Sequence, residues 1–346
     1  MNNRLNIIII ALIGLLGCNE GETSIYEDQS FDDIHSIAEL QNKPFCIVLT
    51  DDSISNLSKE YIFQLNEKYK HLSDKAIFNI SDISHAENEW CIKWLDPISI
   101  PLTCVFYPDG KLFDLIPGVS KETFLYIEEA IKKSKATDFH WPNRFGMNKK
   151  DLVPLLSSLL QQKNYINEGE YSSSELDLLI DSLSYPYSHY IKLLGELMEQ
   201  DTIESQLVAQ SLIGLETPSY LDLYKNEFIT AKKVLNPNFN IDDEPNIRVD
   251  STSISLVNCK QNEVTPFEIS VYNDGDKPLS ISKIHLSCTC LEQHKYEEEI
   301  IINPKELFPI KFYFTPDTEG EIYRDIFIMS NAINMPILHI SIKANV

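Results

Sequence analysis

The spacing of apolar residues changes twice along this chain, and each change marks a different kind of element. Up to about residue 134, short apolar runs alternate with amphipathic stretches. From 148 to 236, apolar residues return every three or four positions, and from 246 onward they alternate with polar ones. A period near 3.6 buries one face of a helix, and a period of 2 buries one face of a strand. The expected fold class is therefore multidomain: α/β, then α, then β. The chain has 346 residues, enough for two or three domains, and 43% hydrophobic residues give each of them a core.

The first region spans residues 37–134. Residues 44–50 form an apolar run that reads as a buried strand. Asp51, Asp52 and Ser53 follow with turn and N-cap chemistry. Leu57, Tyr61, Leu65 and Tyr69 fall at steps of four, on one helix face. Residues 76–80 read as a strand, and 87–95 as a helix carrying Trp90 and Trp94. Residues 102–107 and 111–116 read as a hairpin around Pro108-Asp109-Gly110, and 121–133 as an amphipathic helix.

The order β-α-β-α-β-β-α resembles that of a thioredoxin-like α/β sandwich. The string at residues 100–111, from Ile100-Pro101 to Gly110-Lys111, is similar to the corresponding region of the ResA/TlpA-like branch. The resemblance makes Pro101 the candidate cis-proline. It also implies a Cys-x-x-Cys at the entry to the first helix, where the helix dipole lowers thiol pKa. Here that stretch is Ser53-Ile54-Ser55-Asn56, so Ser53 and Asn56 stand where the two cysteines are lost. A serine hydroxyl forms no dithiol couple, and the domain is expected to be redox-dead. Its three cysteines are Cys46, Cys91 and Cys104. Cys46 and Cys104 are expected on adjacent central strands, either as small buried hydrophobes or as a disulfide.

Residues 148–236 read as a helical domain, with Leu152, Leu155, Leu156, Leu159 and Leu160 at helical spacing. Ser172 to Ser174 and Thr217-Pro218 read as helix entries, and Tyr185-Pro186-Tyr187 as a break. Nothing there has catalytic spacing. His189 stands alone in sequence and reads as a surface or capped histidine. A polar, acidic linker with Pro237 and Pro245 follows at 236–245.

Residues 246–346 alternate in the manner of a β-sandwich with short turns. Four motifs there resemble the DUF1573 immunoglobulin-like domains, in the order of that family. They are the hairpin from Val271 through Asn273, Gly275 and Pro278 to Leu279; Ser287-Cys288-Thr289-Cys290; Ile302-Asn303-Pro304-Lys305-Glu306; and Met329-Ser330-Asn331. Thr289 and Lys305 replace glycines of the family pattern. For Cys288 and Cys290 three readings stand: a structural pair, bonded or reduced; a metal site with His285 or His294; and a redox pair. Cys259 is expected to be buried.

Arg4 precedes an apolar stretch, residues 5–16, that ends in Leu15-Leu16-Gly17-Cys18. The stretch is too short for a permanent span, which needs ~20 residues, and fits a signal-peptide core. The motif resembles a bacterial lipobox, implying cleavage after residue 17 and a diacylglyceryl lipid on Cys18. The competing reading is an ordinary signal peptide with an incidental cysteine. Asn19-Glu20-Gly21-Glu22 resembles the surface-export signal of Bacteroidetes lipoproteins. The expected arrangement is a signal peptide at 1–17, a tether at 18–36, and an outer-membrane lipoprotein facing the periplasm or the surface.

The formal charge of −23 disfavours nucleic acid as a partner. No phosphate-binding glycine loop and no G-x-S-x-G element is present. The expectation is a membrane-anchored, non-catalytic binding or assembly module with an envelope protein as partner and no cofactor beyond the lipid. The alternatives are a thiol-disulfide or peroxide-handling protein using Cys91, Cys104 or Cys288/Cys290, and a metal carrier using Cys288 and Cys290.

Overall fold

The computed structural model describes residues 24–51, 55–296 and 298–346. The signal peptide, the lipidation position Cys18 and the lost-cysteine position Ser53 lie outside the described residues. The chain divides into two compact units, one ending at Gln161 and the other running from Gln162 to Val346.

The first unit is a mixed five-stranded sheet with helices on both faces. In chain order it holds β1 (Ile25–Glu27), α1 (Phe31–Gln41), β2 (Phe45–Thr50), α2 (Asn56–Glu67), β3 (Ile77–Asp82), α3 (Glu89–Leu95), β4 (Leu102–Phe106), β5 (Leu112–Pro117) and α4 (Lys121–Lys133). The sheet order is β1-β3-β2-β4-β5. β1, β3 and β2 run parallel, while β4 and β5 form an antiparallel hairpin beside β2. All six residues of β2 are buried, as a central strand covered on both faces requires. Phe45 and Phe106 are opposite partners and stack with centroids 4.6 Å apart, and Phe31 of α1 meets both. On the other face Cys46 and Val48 pack with Tyr61, Leu65, Phe124 and Ile127 from α2 and α4.

Two expectations are corrected here. Residues 25–41, which overlap the expected tether, form β1 and α1, with Ser30 capping α1 through Asp33 N. A three-residue strand is too short to display a period. On α2 the buried face is Ser58, Tyr61 and Leu65, while Leu57 is exposed. Ser58 turns inward because its Oγ accepts the Asp51 amide at 2.8 Å, which rotates Leu57 to water. Tyr69 lies past the helix end and stacks on Phe124.

The boundary between the units falls within α5 (Lys149–Glu168). The second unit continues with α6 (Ser173–Ser182), α7 (Pro186–Met198), α8 (Thr202–Ile213), α9 (Pro218–Leu223) and α10 (Lys225–Leu235). Ser172 and Thr217 occupy N-cap positions, and Pro186 and Pro218 open their helices at the first helical position, where a missing N–H costs nothing.

A β-sandwich completes this unit. Its strands are β6 (Ile247–Val249), β7 (Ser253–Leu256), β8 (Thr265–Asn273), β9 (Leu279–Leu286), β10 (Leu291–Gln293), β11 (Ile300–Ile302), β12 (Leu307–Phe314), β13 (Glu321–Ser330) and β14 (Ile337–Asn345). One sheet has the order β10-β12-β8-β6, the other β11-β9-β13-β14-β7. Alternate residues such as Ile310, Phe312, Phe314, Ile326, Ile328, Ile340 and Ile342 fill the space between them.

The segment expected as a linker is ordered. A 3-10 turn covers Ile241–Asp243, and the Glu244 side chain is buried. Its carboxylate takes Lys232 of α10 at 3.1 Å and also accepts Lys277 Nζ from the sandwich. Gly275 fits against it: a Cβ there would lie 2.0 Å from Glu244 O.

Candidate functional site

Two thiol-bearing regions were marked by the sequence. In the first unit, Ser55 caps α2, its Oγ accepting the Ser58 amide, and Asn56 is exposed in the first helical turn. The Ile100-Pro101 peptide is cis and sits just before β4. Cys46 and Cys104 are both fully enclosed with free thiols. The pairing register explains why they do not join. Ile47 is opposite Cys104 and Cys46 is opposite Val105, so the two sulfurs lie on opposite faces of the sheet. Burial, followed by the charge of Asp114, pushes the Cys46 thiol up. Burial also pushes Cys104 well above its ordinary value, with Cys91 and Cys46 adding to it. Both therefore stay protonated and unreactive at neutral pH.

Of the two readings of His189, the surface one is overturned: the residue is buried, and its Nδ1 lies 3.1 Å from Tyr185 O, as the capped reading expects. Burial lowers its pKa, so the ring is neutral and structural.

The second region is the crossover from one sheet of the sandwich to the other. β9 ends at Leu286, and Cys288 and Cys290 lie in the turn that follows, not on the strand itself. They form a disulfide with S–S 2.08 Å, both half-buried, with Thr289 exposed between them. The backbone of the turn is held independently. Ser287 N donates to Asp325 O at 3.0 Å, Thr315 N to Cys290 O at 2.8 Å, and Leu291 enters β10 opposite Phe314. A disulfide closing so small a loop removes little chain entropy, on the order of 1–2 kcal/mol against about 3 for fifteen residues.

Arg324, on β13, is the residue that sequence reasoning missed. Its Nε lies 3.1 Å from Cys290 Sγ, and one terminal nitrogen donates to Tyr323 O at 2.7 Å. Among the described residues no carboxylate pairs with this guanidinium. The contact spans 34 positions and has no local signal in the sequence.

The histidines considered as metal ligands are engaged elsewhere. His285 packs beside Phe327, and His294 Nδ1 meets Tyr313 Oη at 3.3 Å. Among the described residues, no three His, Cys, Asp or Glu side chains gather as a metal site. Among the same residues, no helix is long and apolar enough to cross a membrane. An open groove of ≈ 440 Å³ lies between β9 and the segment after β10, lined by Ile281, Lys283, His294, Tyr296 and Glu299 among others.

Residues 247–346 match the family model described as protein of unknown function (DUF1573). The sequence matches no curated protein. Among solved structures, the chain is similar to a protein of unknown function from Porphyromonas gingivalis W83, with 20% identity over 32% of this chain and 51% of that one (TM-score 0.28). The match thus spans about half the length of that relative. The ASH/PapD-like domain of human CEP192 is similar at 10% identity, over 31% of this chain and 88% of that one (TM-score 0.23). A yeast mitochondrial 1-Cys peroxiredoxin is similar at 20% identity, over 32% of this chain and 95% of that one (TM-score 0.26).

Proposed function

We propose that this protein is an envelope lipoprotein, held at the outer membrane by lipid on Cys18, whose domains bind and assemble protein partners. In this reading the first unit is a thioredoxin-like domain that has kept its frame and lost its disulfide chemistry. What supports the frame is the order of β2 to α4 and the cis Ile100-Pro101 bond before β4. The observation that carries the loss is at the entry to α2. Asn56 stands in its first turn, while Cys46 and Cys104 are enclosed on opposite faces of the sheet. What supports the anchor is the Leu15-Leu16-Gly17-Cys18 motif behind an apolar core of signal-peptide length.

Two measurements test this reading. Full-length protein carrying Cys288→Ser and Cys290→Ser, offered insulin with dithiothreitol, is expected to precipitate insulin no faster than dithiothreitol alone. A thioredoxin-like rate would sink the redox-dead assignment. Cys18→Ser protein is expected to lose radiolabelled palmitate and leave the membrane fraction. Wild-type protein that takes up no label overturns the anchor.

A further inference from the structure

We infer that the Cys288–Cys290 disulfide is a thiol-reactive pair in which a partner protein's thiolate attacks Cys288 and Cys290 departs as a thiolate held by Arg324. The inference concerns the sandwich and does not rest on the reading of the first unit.

Three observations carry it. First, the crossover does not need the bond: backbone hydrogen bonds from Ser287 and Thr315 and the β10–β12 pairing fix it. Second, the pair is reachable, with both cysteines half-buried and Thr289 exposed between them. Third, the surroundings of the two sulfurs differ. Arg324 Nε points at Cys290 Sγ at 3.1 Å. Among the described residues, no cation is hydrogen-bonded to Cys288.

The difference sets the direction of exchange. In a chain of net charge −23, cations such as Lys232, Lys277 and Arg248 are neutralised by carboxylates. Arg324 is bonded instead to a sulfur and a carbonyl. A neighbouring cation stabilises a thiolate, and the better-stabilised thiolate leaves faster. Cys290 is therefore the leaving group and Cys288 the sulfur attacked.

The exchange balances with a protein thiol as co-reactant. The partner thiolate bonds to Cys288 Sγ, the Cys288–Cys290 bond breaks, and its electron pair goes to Cys290. A partner with one thiol stays joined to Cys288 as a mixed disulfide. A partner with a second thiolate displaces Cys288 and leaves with its own disulfide. Two electrons then pass from the partner dithiol to the pair, and the two thiol protons end on Cys288 and Cys290.

The test uses the full chain in detergent, with reduced glutathione as the one-thiol probe. After an acid quench and peptide mapping, the adduct is expected on Cys288 and the free thiol on Cys290. An adduct on Cys290, equal adducts on both, or no adduct overturns the assignment. Arg324→Gln is expected to slow adduct formation about tenfold, and Arg324→Lys to restore most of the rate. A second readout separates this role from a packing role. In Cys288→Ser protein, the pH midpoint for iodoacetamide alkylation of Cys290 is expected to rise when Arg324→Gln is added. An unchanged midpoint overturns the assignment of Arg324.

Discussion

Lys149 reaches back from the first turn of α5 to Asp114 of β5, its Nζ 2.5 Å from Oδ1 of a carboxylate with no solvent exposure. The same carboxylate accepts Thr137 N at 2.8 Å and Thr137 Oγ1 at 2.7 Å. Residues between α4 and α5 are thereby folded onto the first unit, with Trp141 enclosed. Removing one partner of such a pair leaves an uncompensated buried charge, which costs about 3–5 kcal/mol. Lys149→Met is therefore expected to lower the urea midpoint of the first unit. All three tryptophans (Trp90, Trp94 and Trp141) belong to this unit, so tryptophan fluorescence, excited at a wavelength that tyrosine does not absorb, reports on it alone. An unchanged midpoint would show the pair to be dispensable.

Glu244 gives the second unit a dependence on acid. Burial pushes its carboxyl up, but the hydrogen bonds and charges of Lys277 and Lys232 outweigh burial and hold it below the usual range. A group with a depressed folded pKa stabilises above its unfolded pKa, about 4.3 for Glu. That contribution is lost as pH falls through the lower, folded value. Glu244→Gln is expected to cost roughly 1–3 kcal/mol at pH 7 and to flatten the loss of melting temperature between about pH 5 and 3. Parallel melting curves for the two proteins over that window would contradict it.

Gly275 tests close approach without left-handed backbone. Its added methyl would meet Glu244 O at 2.0 Å and Asn246 N at 2.8 Å, both main-chain atoms that cannot step aside. Gly275→Ala is expected to destabilise the second unit by about 1–3 kcal/mol or more. Calorimetry on the full chain reads it. Gly146→Ala, with nothing near its methyl, serves as a control for the purely conformational cost at φ +66°.

Thiol accounting separates the cysteines. Cys46 and Cys104 are expected to resist iodoacetamide in the native protein even at pH 9, because burial raises both thiols. Cys288 and Cys290 are expected to label as soon as they are reduced. Native labelling of Cys46 or Cys104 at the rate of a free thiol would show the sheet to be open.

The periodic parts of this fold were legible in the sequence, because burial on one face writes itself as a repeat. Phe312 and Phe314 on β12, or Phe124 and Ile127 on α4, need no tertiary knowledge. What depended on distant partners was not legible. Leu57 looked like the inner face until a Ser58–Asp51 hydrogen bond set the rotation of α2. For Cys46 and Cys104 the sequence left two readings, buried hydrophobes or a disulfide, and only the strand register, which puts them on opposite faces, decides for the first. The 236–245 segment looked like a linker because its composition is polar and acidic, yet Glu244 is buried and neutralised by two lysines from either side. At the candidate site the cysteines were visible and Arg324 was not, since the two meet only when β13 pairs with β9.

The Lys232–Glu244–Lys277 clasp changes how a load travels through the second unit. A slack tether would absorb a pull on the sandwich by straightening. Here the connection is already taut, pinned by charge at Glu244 and by the Asp274 N to Asn246 O hydrogen bond at 2.8 Å. Force applied at the sandwich is expected to reach α10 through Glu244 rather than be taken up by free chain.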